Sequence, residues 1–346
     1  MRIRKPRKLS PGDHVAVVSP SWGGPAVFPH IYENGLCVLR EWGLHIVEFP
    51  TARLPNDILA QNPEMRAKDI NDAFADQRIK AVFASIGGDD SLRILPYLNR
   101  EIITAHPKIL MGYSDTTTLH TCLNLWGNVS FHGPAIMAGF SQMNGMGSTY
   151  KRHVRELLFE AHPSYEYPLY SHYSDGYPDW GDPLNTGKFN TPVPNSGPRV
   201  LQGSGAVEGI LFGGCLEVLE FLKATDYWPA PDFWRDKILF FETSEEAPAV
   251  HNVKWMLRNY GLQGVFSKVS ALMFGRAARY DDARKNQLDD MIKDVVGHEF
   301  KCPTLPIISN MDFGHTDPQI VLPLGIKARL DTVTGRLSLR ESPVTD

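Results

Sequence analysis

Short β-branched runs alternate with amphipathic stretches through the first half of the chain, the pattern of a parallel sheet covered by helices on both faces. His14 to Ser19 (HVAVVS) predicts a first strand that ends in the turn-rich PSWGGP. A helix follows in which Ile31, Cys37, Leu39 and Trp42 share one side, stopping near Gly43. His45 to Phe49 predicts a second strand, and Pro63 to Gln77 a helix with Met65, Ile70 and Phe74 toward the sheet. Ala81 to Ile86 is a third strand running into Gly87 and Gly88; a helix over Asp90 to Leu98 and strands at Lys108 to Met111 and Val129 to His132 complete the set.

Residues 162 to 202 break the pattern, being crowded with Pro, Gly, Tyr, Asn and Asp and lacking any sustained period. The density of aromatics from Tyr165 to Trp180 predicts a binding loop rather than a plain tether. Beyond it, Val207 to Leu211, Lys237 to Phe241, Ser270 to Phe274 and Leu305 to Ser309 predict strands, with helices at Leu216 to Ala224 and Val250 to Tyr260. Turn signals at Leu324-Gly325 and Thr334-Gly335 predict an antiparallel hairpin in the tail. The expected organisation is an N-terminal α/β domain over 1–165, a linker and substrate loop over 166–202, and a C-terminal domain over 203–346.

Composition narrows the function classes. A chain of 346 residues, 42% hydrophobic and 21% charged, suits about two globular domains. Its formal net charge of -4, without a long basic run, argues against a nucleic-acid polymer as partner, because neutralising phosphates needs clustered Lys and Arg. The basic MRIRKPRK leads into LSPGDH rather than an apolar stretch, and no run is long enough to span a bilayer, so a cytoplasmic protein without a membrane partner is expected. Cys37, Cys122, Cys215 and Cys302 form no C-x-x-C pair and read as core thiols; neither a disulfide framework, a metal site nor a cofactor is expected.

The chemistry concentrates at KILMGYSDT, residues 108 to 116. The apolar run breaks at Gly112 and presents Ser114 before Asp115 to Thr118, whose side chains are expected to accept from the free N–H groups of a first helical turn. A serine on a strand-to-helix turn is exposed above the sheet edge, beside the positive end of a helix, where a nucleophile is useful. The same placement suits a simple helix cap, and Thr116 replaces the second glycine of G-x-S-x-G. For a base, His132 in FHGP and His315 in DFGHTDP both lie at turns, that of His315 expected to be tight and exposed, and spacing leaves both open. For an acid, Glu242 is the first charge after KILFF and projects from a strand end, whereas Glu245 and Glu246 read as the start of the next helix. Gly87-Gly88 suits a close backbone approach, a phosphate turn or a strand exit, and no G-x-G-x-x-G spacing supports a dinucleotide site.

Together, IGGDDSLRILPYL, GYSDTTTLH, GGCLEVLE, ILFFETSEE and NMDFGHTDPQIVLPLG resemble, in order and over nearly the whole chain, the serine peptidase family of LD-carboxypeptidases and microcin C immunity proteins. That resemblance implies Ser114 as nucleophile, Glu242 as acid and His315 as base, a flavodoxin-like N-terminal domain, a smaller β-rich C-terminal domain and a homodimer. The backbone N–H groups of Gly88 and Asp115 would hold the oxyanion, with Gly87, Asp89 and Trp180 as substrate contacts. GGDDS, ETSEE and the Asp179-Trp180 pair resemble the immunity branch, which implies cleavage of the bond joining an aminoacyl group to a nucleotide phosphate, with the tryptophan stacked on the base. The alternatives are a cytoplasmic LD-carboxypeptidase acting on a murein tetrapeptide and a non-catalytic small-ligand binding protein.

Overall fold

The buried β-branched and aromatic runs form the strands that carry both halves of the protein. The computed structural model describes residues 3–346. Strands β1 (His14–Val18), β2 (His45–Glu48), β3 (Ile79–Ala84), β4 (Ile109–Gly112) and β5 (Ser130–His132) pair in parallel in the order β2-β1-β3-β4-β5. This order reverses between β1 and β3, and open sheets of this type bind ligands beyond the carboxyl ends of the strands near such a reversal. The loops carrying Trp22, Gly87 and Ser114 leave that end, after β1, β3 and β4 respectively.

In chain order there follow β6 (Tyr165–Glu166), β7 (His172–Asp175), β8 (Val193–Pro194), β9 (Arg199–Gln202), β10 (Ala206–Cys215), β11 (Lys237–Glu242), β12 (Ala271–Gly275), β13 (Ile307–Met311), β14 (Thr316–Asp317), β15 (Leu322–Leu324), β16 (Lys327–Asp331) and β17 (Arg336–Leu339). A second sheet runs β6-β17-β16-β10-β11-β12-β13-β9, parallel from β10 to β13 and antiparallel at its flanks. The tail hairpin is β16-β17, whereas β15 leaves this sheet and pairs antiparallel with β5 of the first. No helix among the described residues is long and apolar enough to cross a membrane.

Several local expectations change. The 162–202 stretch is not structureless, since β6 and β9 join the second sheet, while β7 pairs with both β8 and β14 in a small third one. Asp90 to Leu98 is a 3₁₀ segment, Ser91–Tyr97, because Pro96 inside it cannot donate to an α-helical ladder. Cys37 is exposed and Cys302 only partly covered, so only Cys122 and Cys215 are core thiols. Cys37 lies six residues beyond Ile31, about 240° around a helix of 3.6 residues per turn, and so faces away. Met65 is exposed for the same reason, five residues before Ile70, while Ile70 and Phe74 at spacing four are buried.

The two sheets approach where β10 ends. A Cβ on Gly214 would lie 2.4 Å from Thr117 Cγ2, and the N–H of Cys215 donates to Thr117 Oγ1 at 3.0 Å. Thr117 opens the helix Thr117–Leu125 that follows Ser114. This contact therefore fixes the C-terminal sheet against the turn carrying the serine.

Candidate active site

The serine turn is built from close approaches. β4 is buried throughout and ends at Gly112, where a Cβ would lie 2.7 Å from Thr116 Oγ1. Ser114 then takes φ 57°, a left-handed conformation that costs a non-glycine residue roughly 1–3 kcal/mol. It begins a 3₁₀ turn, Ser114–Thr116, that runs directly into the helix Thr117–Leu125. The expected side-chain capping of that helix does not occur, because neighbouring segments take the groups. Asp115 Oδ2 accepts from the Ser91 N–H at 2.8 Å and its carbonyl accepts from Ser91 Oγ at 2.7 Å, while Thr117 Oγ1 serves Cys215.

Gly87 is needed at this turn. A Cβ there would lie 2.8 Å from Ser114 Cβ and 3.0 Å from its Oγ. Gly88 adopts φ 141°, with a hypothetical Cβ 2.3 Å from Ser21 Oγ. Among the described residues, no hydrogen bond engages the N–H of Gly88 or of Asp115. Both N–H groups therefore remain unengaged, and Gly88 lines the same two cavities as Ser114.

The second sheet brings the histidine and its carboxylate. Glu242 closes β11 opposite Cys215 and is buried. Gly314, at φ 100°, passes so close to it that a Cβ would lie 2.8 Å from Glu242 Cβ, which seats His315 beside the carboxylate. His315 Nδ1 donates to Glu242 Oε2 at 2.6 Å. Its side chain is only 6% exposed, so the expected exposed turn is a buried one. The turn is clamped by Arg276, which bonds Asp312 and, at 3.0 Å, Thr316 Oγ1. Burial works against a charged imidazole, but the Glu242 charge and hydrogen bond, joined by Glu245, carry the His315 pKa well above the ordinary histidine value.

Glu245 and Glu246 do not begin a helix; the next one, Val250–Leu262, starts beyond Pro248 and Ala249. Glu245 Oε2 instead lies 3.0 Å from His315 Nε2, at ion-pair distance but without hydrogen-bond alignment. Glu245 was missed as a site residue because its partner is remote in sequence, and acidic residues ahead of a helical stretch resemble a first turn. The His315 ring at that distance holds the Glu245 carboxyl down to about 2. His132 is wholly buried, with no partner on either ring nitrogen, and burial holds its pKa well below the ordinary value.

Two cavities meet at Ser114. One, of about 450 Å³, is walled by Trp22, Tyr113, Tyr177 and Trp180 and also by His315 and Arg279. The other, of about 760 Å³, carries Asp89, Asp90, Arg93, Glu217, Glu245 and Glu246. Trp180 stacks on Tyr177 with ring centroids 5.3 Å apart and meets Phe28 edge-on at 5.8 Å. Tyr177 in turn bonds the buried carboxylate of Asp317, two residues beyond His315. Gly87 lines the first cavity and Asp89 the second.

Comparison with known proteins gives the same pairing of halves. The LD-carboxypeptidase N-terminal domain profile matches residues 15–133 and the C-terminal domain profile residues 208–330. YocD of Bacillus subtilis, which carries a carboxypeptidase name, is 30% identical over 333 residues, covering 95% of this chain and 96% of its own length. The microcin C7 self-immunity protein MccF of Escherichia coli is 28% identical over 341 residues, covering 96% of this chain and 94% of its own length. A solved structure of MccF in complex with aspartyl sulfamoyl adenosine superposes with a TM-score of 0.87 at 26% identity, covering 99% of this chain and 100% of that one. Relatives of both names thus align over nearly the full length. The chain belongs to the LD-carboxypeptidase family of serine peptidases.

Proposed function

We propose that this protein is a serine hydrolase of the microcin C immunity type, which cleaves the bond between an aminoacyl or peptidyl group and a nucleotide. Ser114 is the nucleophile, His315 the base and Glu242 the carboxylate that orients and charge-stabilises the imidazole. His315 Nε2 takes the Ser114 hydroxyl proton as Oγ bonds to the scissile carbonyl carbon, and the N–H groups of Gly88 and Asp115 donate hydrogen bonds to the developing oxyanion. The bond to the leaving group then breaks, and His315 returns the proton to it. A water molecule, deprotonated by the same nitrogen, releases the acyl group and restores Ser114.

The observation that carries the nucleotide reading is the aromatic cavity at Ser114. Its Trp22, Tyr177 and Trp180 rings suit a flat base, and the guanidinium of Arg279, which forms no ion pair among the described residues, suits the anionic group that links base and acyl parts. MccF has been solved with aspartyl sulfamoyl adenosine, which has both parts. The same Arg279 supports a second reading, since it could instead receive the terminal carboxylate of a peptide, as an LD-carboxypeptidase requires. Incubating the protein with an aminoacyl sulfamoyl adenylate and, separately, with a murein tetrapeptide distinguishes the two. Cleavage of the adenylate is expected; cleavage of the tetrapeptide alone transfers the assignment to carboxypeptidase. The reading includes a cytoplasmic homodimer, whose mass light scattering checks.

A further inference from the structure

His315 has a carboxylate at each ring nitrogen. Glu242 is bonded to Nδ1 at 2.6 Å, and Glu245 stands 3.0 Å from Nε2. Two carboxylates in those positions favour the doubly protonated ring, and an imidazolium cannot take the proton of a serine. Among the described residues Ser114 Oγ has no hydrogen-bond partner, and Nε2, on a side chain only 6% exposed, has none of hydrogen-bond alignment. Something must therefore remove Glu245 before Nε2 can serve Ser114.

Glu245 is open to solvent. Its side chain is 54% exposed, and it sits on the turn between β11 and the helix Val250–Leu262. The root of that turn is held: Glu217 Oε1 accepts from the Ser244 N–H at 2.9 Å and from Ser244 Oγ at 2.8 Å. Glu245 also walls both cavities, so its carboxylate stands where the two halves of a substrate at Ser114 would join. The larger cavity is acidic. Its Asp90 is occupied by Arg66 at 2.7 Å and Arg93 at 3.2 Å, which leaves Asp89 and Glu246 without an ion pair among the described residues.

We propose that Glu245 is a substrate-displaced clasp on the base, drawn from His315 Nε2 by an ammonium group on the acyl side of the substrate, close to the scissile carbonyl. The exchange conserves charge pairing, because Glu245 leaves one cation for another while Nε2 releases its proton to bulk water and is left free to accept from the Ser114 hydroxyl. Acyl groups with a free amine release the base; neutral acyl groups leave it clasped. The inference rests on the assignment of Ser114 and His315 and names the acyl class they act on. The charged and titratable groups around the imidazole are Glu242 on β11, Glu245, Asp317 on its own turn, Tyr113 after β4, buried His132 on β5 and Arg279 across the cavity. Of these, Glu245 alone combines contact at Nε2 with exposure.

The test uses an aminoacyl methyl ester and its N-acetyl counterpart, so that it does not depend on the nucleotide. The unaltered protein is expected to favour the free amine in kcat/KM by about 10-fold or more, the scale of one charge-assisted hydrogen bond. Glu245→Gln should abolish that preference, raise turnover of the N-acetyl ester, and move the acidic limb of its pH profile to lower pH, since one carboxylate stabilising the imidazolium is gone. Glu245→Ala should do the same. A preference unchanged by both substitutions, or an unaltered protein indifferent to the amine, overturns the clasp. Ser114→Ala separates the two levels: ester turnover that survives it refutes the nucleophile assignment, whereas turnover that it abolishes, without amine selectivity, refutes the clasp alone.

Discussion

In the proposed mechanism Ser114 draws its reactivity from its backbone turn and His315 from the carboxylates beside its ring. The left-handed backbone at Ser114 projects the hydroxyl from the strand end, and Ser114→Ala should lower turnover by roughly 10⁴- to 10⁶-fold without altering the circular dichroism spectrum. Retained turnover would remove Ser114 from the mechanism. The raised His315 pKa has a signed consequence. If His315 is the base it acts only when neutral, so kcat/KM should rise with pH through a value above the ordinary histidine range. Glu242→Gln should move that limb to lower pH while reducing kcat, because the same carboxylate stabilises the imidazolium that forms during the reaction. His132→Ala should instead cost stability, about 2–5 kcal/mol as for other large-to-small core changes, with kcat little altered. Equal losses of kcat for His132→Ala and His315→Ala would refute that division. Ser114 and Glu242 were legible as candidates because each stands where an apolar run stops. His315 and His132 were not separable by spacing, since the burial that neutralises His132 comes from Phe240 on β11 and from the ring of His120. Glu245 was illegible for the same reason: its partner comes from seventy residues away in the chain, through the fold.

At the scale of elements, glycines decide how closely one segment passes another. Gly87, Gly214 and Gly314 each stand where a Cβ would meet a neighbour inside 3.0 Å, at the serine, at Thr117 and at Glu242 respectively. Gly214→Ala should push β10 from the helix after Ser114 and cost about 1–3 kcal/mol, the range of overpacked cores, read by urea denaturation. Arg276 is buried against Asp312 and Thr316 beneath the histidine turn. Arg276→Met leaves the Asp312 carboxylate buried without its partner, for which about 3–5 kcal/mol is expected in the same measurement. A loss below 1 kcal/mol in either variant would contradict the packing described. Strands β1 to β5 and the parallel strands β10 to β13 were readable from apolar runs. β9 and β15 were not: β9 lies in a Pro- and Gly-rich stretch, and β15 reads like the rest of the tail yet pairs across to β5. Period identifies a strand's buried face but not its partner.

For the molecule as a whole, the site exists only where two sheets meet. The first sheet supplies Ser114 and the backbone donors, the second supplies Glu242 and His315, and the 166–202 segment lays Tyr177 and Trp180 over the cavity. If a purine occupies that cavity, Trp180→Ala should weaken an aminoacyl adenylate analogue by about 1–3 kcal/mol in titration calorimetry, and Trp180→Phe should recover part of the loss. An unchanged Kd would remove the nucleotide from the account, leaving the hydrolase chemistry in place. That chemistry is tested most directly by trapping the covalent intermediate. A rapidly quenched single turnover with an aminoacyl sulfamoyl adenylate, followed by peptide mass spectrometry, should show the aminoacyl mass on the peptide containing Ser114 and none in His315→Ala. Hydrolysis that proceeds with the acyl group on another residue, or with no acylated peptide under conditions that preserve an acyl-serine standard, would contradict it.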